Sequence, residues 1–153
     1  MEILEYYSLP QPDKDRWLGR IKDSDWAAGQ LLYWLLCSGA FRPLCGKTAR
    51  VYLLTEGGEN LVSFCTLAEQ DDVRDTALGP WIGFVYTFPA YRGHRYVGRL
   101  LDHAFQTAGS EGAERVYIST GETGLYEKYG WCFDCLLLDM NGELSRVYVK
   151  DTP

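Results

Sequence analysis

The sequence predicts an α+β (mixed α/β) protein: a central mixed, mostly antiparallel sheet of about seven strands, with helices on both faces. Three observations carry this. Two strand-like runs early in the chain flank a Gly-Gly turn, and two more near the end flank an Asn-Gly turn, so both pairs read as antiparallel hairpins. Between them an apolar strand, an amphipathic helix and a β-branched strand follow one another, which is the layout of a parallel crossover.

Residues 3–7 read as a short first strand. Asp13 is placed to cap a helix reaching Ile21, and Ser24 or Asp25 to cap a stronger one. In the latter, Trp26, Leu31, Leu32, Leu35 and Leu36 make one apolar stripe, and Ser38-Gly39 is the stop. Strands are expected over 49–55 and 61–67, joined by a turn over 56–60. An acidic, polar loop covers 69–79. The apolar run 81–88 reads as a buried central strand. Residues 98–108 form a helix with Leu101, Ala104, Phe105 and Ala108 on one face, ended by Gly109 and Gly112. Residues 115–120 are a strand of β-branched and aromatic residues, expected beside strand 81–88. A short helix over 125–129 stops at Gly130, and strands 131–139 and 144–150 form the last hairpin around Asn141-Gly142.

With no repeat, linker or low-complexity tract, residues 1–153 read as one domain with room for a real core. Hydrophobic residues make up 46% and charged residues 24%, an ordinary globular balance. Twenty-one acids against 15 bases give a net charge of −6, which argues against general nucleic-acid binding. The apolar run 31–37 is far too short to cross a bilayer, and Met1-Glu2-Ile3-Leu4-Glu5 lacks a signal-peptide pattern. Five cysteines, an odd number with apolar neighbours, fit reduced thiols, so the expectation is a cytoplasmic protein with no membrane partner.

Against this acidic background one segment is basic. Strand 81–88 leads through Pro89 into Tyr91-Arg92-Gly93-His94-Arg95-Tyr96-Val97-Gly98-Arg99-Leu100-Leu101, which opens a helix. A helix start offers free N–H groups and a positive dipole end, and Arg92, His94, Arg95 and Arg99 add charge there. That combination suits a phosphate-bearing ligand. A second stretch, Leu125-Tyr126-Glu127-Lys128-Tyr129-Gly130-Trp131, follows the crossover.

Together the two stretches resemble signatures of the GNAT superfamily of N-acetyltransferases, and the order of elements fits that family across nearly the whole chain. The first is similar to the family's acetyl-CoA loop, an Arg/Gln-x-x-Gly-x-Gly/Ala pattern. Counted from Arg92, the family's glycines fall on Arg95 and Val97, and Gly98 stands one place late. The family's frequent Asn after the fifth strand is replaced by Ser119-Thr120, whose hydroxyls are placed to take part of its role.

The resemblance implies acetyl transfer from acetyl-CoA to an amine, with a small molecule expected ahead of a peptide or protein amine. The pyrophosphate would lie on the N–H groups of Arg92, Gly93, His94, Arg95, Tyr96, Val97 and Gly98, beside Arg99. The pantetheine arm would pair with backbone near Tyr86, Thr87 and Phe88, where the neighbouring strand splays away, and an N–H there could face the oxyanion. Tyr126 is the candidate general acid, with Tyr129 as alternative. The base is open: Glu69, with Asp71 and Asp72 after it, could take the amine proton directly or through water, and an ordinary solvated acidic loop accounts for the same residues. The acceptor is expected to enter near loop 69–75. Homodimerisation is compatible with this reading, and a catalytically inactive CoA-binding or partner-binding module of the same fold is its alternative.

Cys132-Phe133-Asp134-Cys135 has no second cysteine pair or nearby histidine, and on a regular strand its two thiols would point to opposite faces, so no metal site is expected. His103 is expected on the solvated side of its helix.

Overall fold

The computed structural model describes residues 1–73 and 76–153. Seven strands form one sheet in the order β1-β2-β3-β4-β5-β7-β6: β1 (Glu2–Glu5), β2 (Arg50–Glu56), β3 (Asn60–Ala68), β4 (Trp81–Thr87), β5 (Arg115–Thr120), β6 (Cys132–Leu138) and β7 (Leu144–Asp151). All neighbours are antiparallel except β4 and β5. Four α-helices accompany it: α1 (Gln11–Lys22), α2 (Ala27–Cys37), α3 (Phe41–Cys45) and α4 (Val97–Ser110). Among the described residues no helix is long and apolar enough to cross a membrane.

Alternation along β2 shows how the sheet divides the core. Val51 and Leu53 pack with Trp17, Ile21, Leu32 and Phe41 from α1, α2 and α3. Tyr52 and Leu54 point the other way, to Leu100, Leu101, Ala104 and Phe105 of α4. Gly57 and Gly58, with φ of 64° and 73°, lie in the three-residue turn 57–59 that closes the β2–β3 hairpin. In the last hairpin the Asp139 carboxylate accepts from the N–H groups of Asn141 (2.8 Å) and Glu143 (3.0 Å).

Several local expectations are corrected. β1 stops at Glu5 because its carboxylate accepts from the Tyr7 N–H at 2.7 Å and turns residues 6–8 into a 3₁₀ turn. Pro10, not Asp13, caps α1. Trp26, not Ser24 or Asp25, occupies the cap position of α2. Leu31 is 49% exposed: the buried face of α2 is Gly29, Leu32, Leu35 and Leu36, from which Leu31 is rotated away. α3 was not expected. The helix expected over 98–108 runs through Gly109 to Ser110. In β6 an extra residue at Asp134 shifts the register, so Cys132 faces Val149 and Cys135 faces Val147. Those partners lie two apart on one strand, so the two cysteines share a face rather than pointing to opposite ones.

Candidate active site

The site begins with a defect in the sheet. Between the pairs Thr66–Gly83 and Phe64–Tyr86, β4 advances three residues while β3 advances two. The extra residue is a bulge, and Phe84 sits in it at φ 49°, left-handed although not glycine. On its other side β4 pairs with β5 only through Trp81–Tyr117 and Ile82–Ile118. β5 goes on instead with β7 along its whole length. From Gly83 onward, the flank of β4 toward β5 therefore has no strand among the described residues.

A cleft of about 820 Å³ opens in that gap. Val85, Tyr86 and Thr87 of β4 form one wall, Tyr91, Arg92, Gly93, Arg95, Tyr96 and Val97 a second, and Glu122, Leu125, Lys128 and Tyr129 a third. Asp25 and Trp26, from the α1–α2 connection, stand at its mouth.

The second wall has the features of an anion site. Gly93 (φ 87°) and Arg95 (φ 58°) both turn through the left-handed region just before α4. Arg95 thus keeps a glycine-like backbone where the family pattern has glycine, and its guanidinium lies over the Tyr129 ring at 5.1 Å. Gly98 and Arg99 donate to the carbonyls of Arg95 and Tyr96, and the Arg92 N–H, expected on the pyrophosphate, donates to the Pro89 carbonyl, so the N–H groups left to an anion are those from Gly93 through Val97. Arg92, Arg95 and Lys128 bring positive charge to the same cleft.

Of the residues singled out in the sequence, Tyr86, Thr87, Arg92, Gly93, Arg95, Tyr96 and Val97 meet in this cleft. Phe88 does not: its N–H goes to the Val62 carbonyl, and its ring packs on Phe64 and Tyr86. His94 is exposed beside Tyr96, and Arg99 is exposed on α4. Gly98 serves packing, since a Cβ there would come 2.7 Å from Tyr129 Cε1. Ser119 bonds Ser145 across to β7 (Oγ to Oγ, 2.6 Å) and is not part of the lining. Glu69 lies at the far end of the sheet. β3 is antiparallel to β4, so its end meets Trp81 rather than Thr87, and the Glu69 carboxylate accepts from the Thr48 N–H and hydroxyl.

Tyr126 is buried behind the third wall, packed with Tyr148. Burial first, then Glu122, Cys65 and Asp71, push its phenol far above the usual range, so it is a neutral O–H donor. Asp71 lies against Gly83, at the point where β4 and β5 part and outside the residues that line the cleft: a Cβ on Gly83 would overlap its carboxylate. Burial, then the neighbouring Asp72, raise the Asp71 carboxyl to about 7. Beside it by register, Thr66 carries a buried hydroxyl without a hydrogen-bond partner. Asp25 and Glu122 were not among the predicted site residues. Lys128 stood in the second signature, but only the structure brings it to the cleft; Tyr129, the alternative acid, lines the cleft as well.

No curated protein sequence matches the chain. Solved structures share its fold. An aminoglycoside 6'-N-acetyltransferase from Enterococcus faecium superposes with a TM-score of 0.71 at 16% identity, over 100% of this chain and 98% of that one. An aminoglycoside 6'-N-acetyltransferase complexed with coenzyme A gives 0.68 at 14% identity, over 100% and 98%. A type Ii aminoglycoside 6'-acetyltransferase gives 0.70 at 17%, over 100% and 99%. The family model described as "Acetyltransferase (GNAT) family" matches residues 5–131, and the chain therefore belongs to the GNAT acetyltransferases, which move an acetyl group from acetyl-CoA to an amine.

Proposed function

We propose that the protein acetylates a small, cationic amine, with Asp71 as general base and Tyr126 as general acid. Acetyl-CoA supplies an acetyl thioester. The chain's own features fit it: an open β4 flank for an extended amide-bearing arm, and N–H groups with Arg92 and Arg95 for a diphosphate.

The observation that carries the assignment is the Asp71 carboxylate lying over Gly83, where β4 and β5 part. A carboxyl with pKa about 7 is half ionised near neutrality and is suited to accept a proton from an ammonium, directly or through water. The orphan Thr66 hydroxyl beside it offers the amine a hydrogen-bond partner. On the other face of the sheet, the Tyr126 phenol stays neutral and offers its O–H to the departing thiolate as a hydrogen-bond donor and proton source, although the burial that keeps it neutral also makes it a weaker acid than an ordinary phenol. Tyr129 is committed elsewhere, against Gly98 and under Arg95. Glu69 is held by Thr48 and is not the base in this scheme.

Acid groups around the site, namely Asp25, Asp71, Asp72 and Glu122, favour a cationic acceptor. The fold-sharing enzymes named for aminoglycosides make amino sugars the first compounds to try. The test is an amine screen with a free-thiol readout on wild-type protein and Asp71→Asn. Turnover with an amine that disappears in a folded Asp71→Asn is the expected result. Turnover that survives the substitution overturns the base assignment, and coenzyme A binding without turnover of any amine leaves a binding module instead.

A further inference from the structure

Arg92 is contested. Its Nη2 lies 3.6 Å from the Asp25 carboxylate, its Nε donates to the Thr87 carbonyl at 2.8 Å, and its guanidinium lies 5.4 Å from the centre of the Tyr86 ring. Asp25 in turn accepts from the Tyr86 phenol. Its neighbour Trp26 stacks on the same ring at 5.6 Å, with the planes 10° apart. Asp25 and Trp26 belong to the connection between α1 and α2, and these contacts tie that connection across the end of β4. All five residues line the cleft, on the path from the helix start to the open β4 flank.

The tie is weak where it matters. The Asp25 and Arg92 side chains are 65% and 52% exposed, so their ion pair contributes little. A diphosphate at the start of α4 carries more charge than one carboxylate and presents paired oxygens to the planar guanidinium, so it wins the competition.

We propose that Arg92 is exchanged between Asp25 and the diphosphate of acetyl-CoA, so that cofactor binding releases the Asp25–Trp26 segment and frees the Asp25 carboxylate for the cationic acceptor. This rests on the cofactor placement given above. Asp25 is then a positioning residue that couples the two substrates, and the coupling is reciprocal: each substrate raises the other's affinity by the same factor.

The experiment titrates coenzyme A calorimetrically into wild-type protein, Asp25→Asn and Tyr86→Phe, and follows the Trp26 indole N–H by NMR, assigned with Trp26→Phe. Asp25→Asn should bind coenzyme A about two- to fivefold more tightly than wild type, the range expected for removing an exposed competing pair, whereas Tyr86→Phe, which keeps the Asp25–Arg92 pair, should bind no more tightly than wild type. In wild-type protein, coenzyme A and inorganic pyrophosphate should shift the Trp26 signal alike, and free Asp25→Asn should already show the shifted position. A residue with a merely structural role would weaken binding when replaced. An Asp25→Asn protein that binds no more tightly, a Tyr86→Phe protein that gains as much as Asp25→Asn, a Trp26 signal that coenzyme A leaves in place, or a shift that pyrophosphate cannot reproduce would each overturn the exchange while leaving the transferase reading standing. Failure of wild-type protein to bind coenzyme A overturns that reading, and the exchange with it.

Discussion

Gly83 leaves the space that the Asp71 carboxylate occupies; a methyl group on residue 83 would overlap it. The backbone there is sheet-like, so alanine is conformationally acceptable, and the relief must come from Asp71 moving. Gly83→Ala should therefore lower kcat by about 10²-fold, the cost of misplacing a catalytic group by about an ångström. The Kd for coenzyme A should stay unchanged, because the diphosphate wall is remote from this contact. Steady-state kinetics with calorimetry checks both, and a variant with wild-type kcat removes Asp71 from the chemistry.

Asp71 also makes a pH prediction. Its carboxyl titrates at about 7 in the folded protein and near 4 (about 3.9) when unfolded. Between those values the native state holds a proton that the unfolded chain has lost, so the group's contribution to stability falls as pH rises through that window. Its activity as a base rises through the upper part of the same window. kcat/KM should climb to a plateau above pH of about 7. Asp71→Asn should melt higher than wild type at pH 8, by about 5 °C, with the gap shrinking toward pH of about 5. Melting curves at the two pH values decide it; an Asp71→Asn protein less stable than wild type at pH 8 contradicts the assignment.

Tyr126→Phe keeps the ring that packs on Tyr148 and removes only the phenol oxygen. The expected outcome is a fall in kcat of about 10²-fold with the fold and the coenzyme A affinity retained. Single-turnover measurement of thiol release isolates the step concerned. If release is as fast as in wild type, the thiolate takes its proton from water.

At the start of α4, Gly98→Ala would push a methyl group to 2.7 Å from Tyr129 Cε1. Tyr129 forms part of the third wall and supports Arg95, so its displacement reaches the anion site. Overpacking of this kind costs about 1–3 kcal/mol. Coenzyme A should bind roughly tenfold or more weakly, with little change in kcat at saturation. Calorimetric titration of the variant checks this.

The hairpins and the crossover could be read from the chain because their signals are local. Gly57-Gly58 and Asn141-Gly142 fix two turns, and the period of the apolar residues fixes the strands and helices between them. The bulge at Phe84 had only an indirect signal, Gly83 inside an apolar run: the left-handed position itself holds neither glycine nor proline, and its ring packs edge-on to Phe41. Asp25 stands before an apolar run like a helix cap, yet its carboxylate is taken by Tyr86, 61 residues away. The parity of Cys132 and Cys135 reversed for the same kind of reason, one inserted residue in β6. Local pattern places elements well; it does not show which end of a strand faces a cleft.

Glu69 is the sharpest case. In sequence it ends a strand next to an acidic loop, but antiparallel pairing carries it to the opposite end of β4 from Val85–Thr87. There its carboxylate accepts two hydrogen bonds from Thr48 and shapes the turn at Gly46, where a Cβ would overlap it. Glu69→Ala should therefore cost stability, about 1 kcal/mol, and lower the melting temperature by about 3 °C. It should leave kcat and the pH profile as in wild type, because the carboxylate is held by Thr48 outside the cleft lining and has no part in the Asp71 shift. Thermal melts and a pH–rate profile on one preparation separate the roles: a large loss of kcat in a stable Glu69→Ala protein would return Glu69 to the catalytic machinery.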